Sequence, residues 1–110
     1  MNVTHGFHAT MAAQPGKGDA VERLLRDAVQ TGPAAHEACV VFLIGRSTTN
    51  PDVVYVTEGW TNKEAHDRVF ASDQARTLVA GFEALLAAEP QYLDEVLVGG
   101  KFTAELSPNQ

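Results

Sequence analysis

The sequence predicts an α+β domain in which four strands form one antiparallel sheet and helices cover one of its faces. Three observations support this. An alternating apolar pattern near the N-terminus precedes a segment with helical periodicity, two strongly apolar runs are joined by a short turn cluster, and a second helical region precedes a final apolar run. The order strand, helix, strand, strand, helix in two pieces, strand is that of the ferredoxin-like β-α-β-β-α-β arrangement.

The first strand and the first helix follow from their apolar periods. In residues 5–13 alternate side chains are apolar, which is typical of a half-buried strand. The segment 14–16, Gln-Pro-Gly, ends the strand because proline fixes φ and glycine permits the turn. Residues 18–30 carry apolar side chains at helical spacing, beginning with Val21, so we predict a helix that lies on the core.

The two central strands are predicted to form a hairpin. Residues 37–46 are dense in Val, Phe, Leu and Ile without polar alternation, as expected for a strand covered on both faces. Residues 47–52, STTNPD, form a turn cluster, and residues 53–60 are the returning strand. A connection this short between two strong strands favours antiparallel pairing.

The second helical region and the last strand complete the order. Thr61 and Glu64 fit the T-x-x-E capping box, so a helix is predicted over residues 62–71. Ser72 and Asp73 are predicted to begin another helix, which Pro90 ends. Residues 91–102 are predicted as the fourth strand, and residues 103–110 as a frayed tail.

Length and charge exclude several classes of protein. The 110 residues fit a single domain, residues 1–110, with its core in residues 5–102. The formal net charge is −6 and no cluster of Lys and Arg occurs, which argues against nucleic acid and anionic membranes as partners. No apolar run approaches the ~20 residues of a membrane span, and no basic and then apolar segment opens the chain. We therefore expect a soluble, cytoplasmic protein.

A homodimer is predicted from the apolar character of the strands. Helices in this arrangement cover one face of the sheet, yet the strands are apolar on both faces. A bare apolar sheet would be a sticky surface, so the second face should be buried against a second copy of the chain.

Three motifs give the chain a family resemblance. They are the P-G-K turn at residues 15–17, the E-x-W at residues 58–60 and the E-A-H at residues 64–66. With the segments around them, in residues 5–100, they resemble the antibiotic biosynthesis monooxygenase family of dimeric α+β barrel proteins. The resemblance implies the fold more strongly than the reaction, because the family includes quinol oxygenases, haem-degrading oxygenases, signal-molecule-processing enzymes and members of no known activity.

His66 is the first candidate catalytic residue. At about 100° per residue, Asn62, Ala65, His66, Val69 and Phe70 share one arc of the predicted helix, and the charged neighbours fall outside it. A histidine that faces a cavity suits general-base chemistry near neutral pH. The alternative is a neutral imidazole hydrogen-bonded in the core. The resemblance implies that quinone-forming relatives carry a substrate-contacting tyrosine at this position.

Trp60 and Glu58 share one strand face by alternation. The resemblance implies that Trp60 is catalytic in the sense of holding the substrate, stacking on an aromatic ring and offering its indole N–H. A large packing residue is the alternative. For Glu58, a candidate substrate-binding residue, the simplest interpretation is an ion pair with Lys63, and the alternative is a group that orients His66.

Two departures separate the chain from its better-understood relatives. Val56 stands where the quinone-forming members have an asparagine, four residues before the tryptophan, so a hydrogen-bond donor to the substrate is missing. Haem-degrading members pair a first-strand asparagine with a tryptophan and a histidine ten positions after it. Here Phe70 holds the last position and Ala9 lies near the first, so haem degradation is not expected. Val56 and Phe70 are still predicted to contact the substrate.

The other ionisable residues carry weaker expectations. His5 and His8 are three apart on a strand and point to opposite faces, a poor metal pair, so no metal site is predicted. His8 and Arg76 are candidate substrate-binding residues; their alternatives are an ordinary strand histidine and a solvated helix arginine. Cys39, within an apolar run, is predicted to be a small buried hydrophobe.

The sequence contains no dinucleotide fingerprint, phosphate loop, paired-cysteine metal motif or nucleophile elbow, so no cofactor is predicted. The resemblance implies a cofactor-independent monooxygenase, in which a quinol, anthrone or polyketide-like aromatic loses a proton and itself reduces O₂. His66 would take or relay that proton and Trp60 would hold the ring. Two alternatives stay open: a non-catalytic ligand-binding dimer, favoured by Val56, and a cyclase or isomerase with His66 as base.

Overall fold

The computed structural model describes residues 2–102, in which four strands and three α-helices follow the order β-α-β-β-α-α-β. The predicted ferredoxin-like fold is confirmed, with the second helical region in two pieces. The predicted tail, residues 103–110, lies outside the described residues. The elements are β1 His5–Ala12, α1 Gly18–Gln30, β2 Cys39–Arg46, β3 Val53–Trp60, α2 Lys63–Phe70, α3 Asp73–Glu83 and β4 Gln91–Val96, with a 3₁₀ turn at Pro33–Ala35.

The strands form one antiparallel sheet in the order β2-β3-β1-β4. The register places His5 of β1 opposite Trp60 of β3, and Phe7 opposite both Glu58 of β3 and Asp94 of β4. Residues directly opposite each other point to the same face of a sheet. The register therefore brings these five side chains together at one end of the sheet, on its inner, helix-covered face.

The core lies between the inner face of the sheet and the helices. Phe7, Ala9 and Met11 of β1 are buried there, as the alternation predicts, and α1 contributes Val21 and Leu25. A second, smaller cluster surrounds the end of β3, and its buried members are Ala38, Trp60 and Ala65. Trp60 therefore sits beside the main core, close to the start of α2.

The cap of α2 differs from the predicted capping box. The side chain of Asn62 accepts a hydrogen bond of 2.7 Å from the backbone N–H of Ala65, and the helix begins at Lys63. The prediction that Thr61 caps this helix was wrong. Asn62 has the extended backbone of an N-cap residue, so the cap lies one residue later than predicted, and the N–H that it accepts is that of Ala65 and not that of Glu64. Ser72 caps α3 through the N–H of Ala75, as predicted.

Two strands are shorter than predicted. β4 ends at Val96, and the chain after it includes Gly100 at a φ of 127°, a conformation that favours glycine. β2 begins at Cys39, because the preceding residues turn back: the N–H of Cys39 donates to the carbonyl of His36. A bulge between Cys39 and Val41 then shifts the register against β3.

The outer face of the sheet carries apolar side chains that the helices do not cover. Tyr55 of β3 and Leu93 of β4 point to this face and are 43% and 58% exposed in the isolated chain. The predicted homodimer would cover this face, and it stays a prediction. Within residues 2–102 no helix combines the length and the apolar character needed to cross a membrane.

Candidate functional site

A cavity of about 60 Å³ lies between the inner face of the sheet and the helices. Its wall is largely apolar, and it includes His66, Trp60, Glu58, Val56 and Phe70, all of them predicted site residues. The volume suffices for a few water molecules and falls below the ~300–1,000 Å³ typical of small-molecule pockets. The structure thus places the proposed catalytic pair on one cavity.

Trp60 and His66 meet because β3 turns directly into α2. Their ring centroids are 5.3 Å apart and the rings are nearly perpendicular, at 76°, an edge-to-face contact. The rings of Phe7 and Phe70 also pack against His66, with centroid distances of 4.6 Å and 5.7 Å. The imidazole is therefore enclosed by aromatic rings on the apolar face of α2, as the helical wheel predicts.

The Glu58 carboxylate accepts a hydrogen bond of 2.7 Å from the indole N–H of Trp60. The predicted ion pair between Glu58 and Lys63 was wrong, because Lys63 pairs with Asp67, four residues along the exposed face of α2. The pKa of Glu58 is raised to about 7, because burial outweighs the lowering by the bond from Trp60 and the nearby charge of Asp94 contributes to the rise. This carboxyl group is therefore close to half-ionised at neutral pH, which suits a general base.

His66 has one satisfied and one unsatisfied ring nitrogen. Nδ1 lies 3.1 Å from Oδ1 of Asp67. Nε2 is buried and has no hydrogen-bond partner within residues 2–102. An unsatisfied buried polar atom costs ~1–3 kcal/mol, so this nitrogen is the kind of group that a ligand satisfies. The alternative prediction, a core histidine whose ring is hydrogen-bonded, therefore describes Nδ1 but not Nε2.

The position of His5 beside His66 at the candidate site was not predicted from the sequence. It is buried, its ring centroid lies 5.1 Å from that of His66, and its Nε2 lies 2.8 Å from Oδ1 of Asp94. The sequence signal was its position in the same alternating series as Phe7, which places it on the inner face. Tyr92 was missed as well: it lines the cavity from β4, and burial raises the pKa of its hydroxyl.

Two predicted substrate-binding residues do not line this cavity. His8 points to the outer face, because side chains alternate along β1, and it lies 2.7 Å from Glu95 there. Arg76 borders a separate surface groove beside Phe70 and Glu83. For these two residues the predicted contact with a substrate in this cavity does not fit the structure.

The surroundings of Cys39 do not favour a nucleophilic thiolate. It is half-buried, and burial raises the pKa of its thiol to about 12, with the charge of Glu58 adding to the shift. A thiol at neutral pH under these conditions is not ionised, and the thiolate is the reactive form. The structure agrees with the predicted packing role.

Fold and site together define a class: a ferredoxin-like α+β domain with an aromatic-walled cavity beneath its helices and three ionisable groups, those of Glu58, His66 and Tyr92, in the cavity wall. The family model for antibiotic biosynthesis monooxygenases matches residues 4–81. The chain belongs to the antibiotic biosynthesis monooxygenase family, and the resemblance noted in the sequence is confirmed.

Solved structures share the fold at low sequence identity. A Chloroflexus aurantiacus J-10-fl protein named after the antibiotic biosynthesis monooxygenases is 24% identical with a TM-score of 0.75, and the match covers 90% of this chain and 97% of that one. The PA3566 protein of Pseudomonas aeruginosa is 24% identical with a TM-score of 0.75, and the match covers 90% of this chain and 98% of that one. The NE2512 protein of Nitrosomonas europaea, described as of unknown function, is 17% identical with a TM-score of 0.77, and the match covers 94% of this chain and 97% of that one. None of the curated proteins compared with the chain matched it.

Proposed function

We propose that the protein is a monooxygenase that oxidises a small electron-rich aromatic compound, a quinol, an anthrone or a polyketide-like relative, with O₂. The observation that carries the proposal is the Nε2 atom of His66, which is buried without a hydrogen-bond partner in residues 2–102, on a residue that lines the cavity beside Trp60. A base in an apolar, aromatic-walled cavity suits removal of a proton from an aromatic substrate. Membership in a family named for monooxygenases supports a reaction with O₂ by analogy.

The proposed reaction uses the substrate as the electron source. The base removes a proton from the anthrone methylene, and the resulting carbanion gives one electron to O₂. The carbon radical and superoxide then combine and take up a proton to form a C–OOH group. Loss of the second C–H proton breaks the O–O bond, forms the carbonyl and releases hydroxide, which becomes water by taking back a proton. A methylene group and O₂ thus yield a carbonyl group and water.

The structure refines the role that the resemblance implies for Trp60. Its indole N–H already donates to Glu58, so it is not free for a substrate oxygen. Trp60 would instead hold the aromatic ring and fix the Glu58 carboxylate. Two groups are then available as base, the Nε2 atom of His66 and the Glu58 carboxylate with its pKa of about 7.

Substrate entry would require movement at the solvent side of the cavity. Phe70 and Tyr92 line the cavity, are 39% and 43% exposed, and contact each other edge to face at 5.6 Å. They are the exposed residues of the wall, so rotation of these two rings would enlarge the cavity toward solvent.

We propose in addition that the protein forms a homodimer in which the outer faces of the two sheets pack against each other. The exposed side chains of Tyr55 and Leu93 on the outer face support this, because a stable monomer rarely presents a broad apolar surface. Association through the outer face would leave the inner-face cavity uncovered by the partner in each copy.

A non-catalytic ligand-binding dimer is the second candidate, and Val56 favours it. This side chain is 2% exposed in the cavity wall and supplies no hydrogen-bond donor to a substrate carbonyl. A protein of this kind would bind an aromatic ligand without consuming O₂.

The test is O₂ uptake with model anthrones and quinols by the parent, His66→Ala and Glu58→Gln. Arg68→Ala is the matched control, because Arg68 lies on the exposed side of α2. We expect the parent and the control to take up O₂ and to form a product with one oxygen more and two hydrogens fewer than the substrate. The O₂-uptake rate should fall by about 100-fold or more in whichever of His66→Ala and Glu58→Gln removes the base. Saturable quenching of Trp60 fluorescence without O₂ uptake would instead identify a binding protein, and a product of unchanged mass would identify an isomerase or cyclase.

A further inference from the structure

We propose that His5, His66 and Asp94 form a binding site for one divalent transition-metal ion. Each residue offers one ligand atom, and the three atoms lie within 4.8 Å of one another. This inference rests on the geometry of the three side chains and not on the proposed monooxygenase function.

The fold assembles the three residues from distant parts of the chain. His5 comes from β1, Asp94 from the neighbouring strand β4, and His66 from α2, which lies over the inner face. Nε2 of His5 is 2.8 Å from Oδ1 of Asp94, and the two imidazole centroids are 5.1 Å apart. Small movements of these side chains would bring all three atoms to the ~2.0–2.2 Å at which Zn²⁺ binds nitrogen and oxygen.

The hydrogen bonding of His66 is the second observation that points to a ligand. Oδ1 of Asp67 lies 3.1 Å from Nδ1, so Nδ1–H donates to a carboxylate in the matching tautomer. In that tautomer Nε2 carries a lone pair, and Nε2 is the buried atom without a partner in the described part of the chain. Metal-binding histidines almost always donate their other ring N–H to a carboxylate or carbonyl in this way.

The donor set selects the class of metal. Two imidazoles and one carboxylate suit Zn²⁺, Fe²⁺ and their first-row neighbours, whereas Mg²⁺ and Ca²⁺ prefer oxygen ligands. Three protein ligands leave coordination positions open. Both histidines are about 5% exposed and Asp94 is half-exposed, so the ion would enter from the side of β4.

The same two strands contain a second His–carboxylate pair that serves as a control. His8 and Glu95 lie 2.7 Å apart on the outer face of β1 and β4. No third His, Cys, Asp or Glu in residues 2–102 completes a metal-binding group there. The sequence predicts no metal site, because His5 and His8 point to opposite faces of β1. The structure shows them on opposite faces, but it also brings His5 close to a different histidine, His66.

The test is titration of tag-free protein with Co²⁺, read by visible absorption, and with Zn²⁺, read by calorimetry. We expect one ion per chain, an affinity at least ~10-fold weaker for His5→Ala and Asp94→Asn, and parent-like binding for His8→Ala and Glu95→Gln. Zn²⁺ should also raise the melting temperature of the parent but not that of Asp94→Asn, a substitution at a half-exposed side chain that leaves the core intact.

The inference is overturned if the parent binds Co²⁺ and Zn²⁺ no more tightly than Asp94→Asn, or if the variants of both His–carboxylate pairs lose binding equally. Circular dichroism of each variant shows whether it is folded, and Asp94→Asn keeps the test decisive if His5→Ala unfolds. None of these measurements uses the oxidation of a substrate, so failure of the proposed function would leave this result unaffected.

Discussion

The indole N–H of Trp60 donates a 2.7 Å hydrogen bond to the carboxylate of Glu58, two residues earlier on the same face of β3. The E-x-W motif is therefore a coupled pair of donor and acid and not two independent packing residues. Burial raises the pKa of this acid to about 7, and the bond from Trp60 limits the rise. The titration of Glu58 therefore contributes to the pH dependence of stability and, if Glu58 is the base, to that of the proposed reaction.

Glu58→Gln should stabilise the protein at alkaline pH. The folded-state pKa of Glu58 is raised, so the folded state binds the proton more tightly than the unfolded state and stability falls as pH rises from about 4.5 to about 7. At pH 8 the buried charge costs up to ~3 kcal/mol, and glutamine removes it while still accepting from Trp60. Urea unfolding should show the variant to be more stable than the parent at pH 8 and equal to it at pH 4.

Glu37→Gln is the matched control for this measurement, because Glu37 is an exposed loop carboxylate. It should follow the parent at both pH values. A Glu58→Gln variant that gains nothing at pH 8 would show that water reaches this carboxylate and that it is not desolvated.

Trp60→Phe should shift the pH profile of the proposed reaction. Phenylalanine keeps an aromatic ring against the cavity but removes the hydrogen bond that lowers the pKa of Glu58. A hydrogen bond to a charged group contributes ~1.5 kcal/mol, which corresponds to about one pH unit. If Glu58 is the base, the acid limb of the O₂-uptake rate moves up by about this amount. An unmoved limb assigns the titrating base to another group.

Asn62→Ala should destabilise α2, which positions His66. The Asn62 side chain accepts from the N–H of Ala65, and loss of such a cap costs about 1 kcal/mol, or a fall of roughly 4 °C in melting temperature. Thr61→Ala is the matched control and should change stability by less than half as much. Equal losses for the two substitutions would restore the capping box that the sequence suggested.

Local patterns predict the fold well because they arise from neighbouring residues. Alternation places Phe7 in the core, helical periodicity fixes α1, and the wheel places His66 on the apolar face of α2. Competition between adjacent groups is harder to predict. Asn62 replaces Thr61 as the cap, because each of these side chains can accept a free backbone N–H three residues further along the chain.

The partners of the site residues depend on register between distant strands, which no local pattern encodes. Asp94 reaches His5 only because β4 pairs with β1 in one register, and a shift by one residue would have brought Glu95 to the inner face instead. The same alternation sends His8 to the outer face. Glu58 lacks its predicted Lys63 partner, because the lysine lies on the exposed side of α2 beside Asp67.

Leu93→Glu should convert the proposed dimer into a monomer. Leu93 is 58% exposed on the outer face in the isolated chain, and a charge buried between two apolar sheets would be strongly unfavourable. Val29→Glu is the matched control, because Val29 is 41% exposed but lies on α1, away from that face. Light scattering at micromolar concentration should give a dimer for the parent and for the control. A monomeric parent contradicts the proposed association.

Zn²⁺ should inhibit the proposed reaction if both proposals hold and His66 is the base. A metal ion on Nε2 takes the lone pair that would accept the substrate proton, and general-base catalysis contributes about 100-fold or more, so we expect the O₂-uptake rate to fall by at least ~10-fold. A chelator should restore the rate, and Asp94→Asn should be resistant because it binds the ion weakly. His8→Ala should be inhibited like the parent, since its side chain lies on the outer face. If the parent keeps its full rate with one ion bound per chain, Glu58 is the base and Nε2 of His66 is a metal ligand. The same nitrogen cannot bind the ion and accept the proton at once.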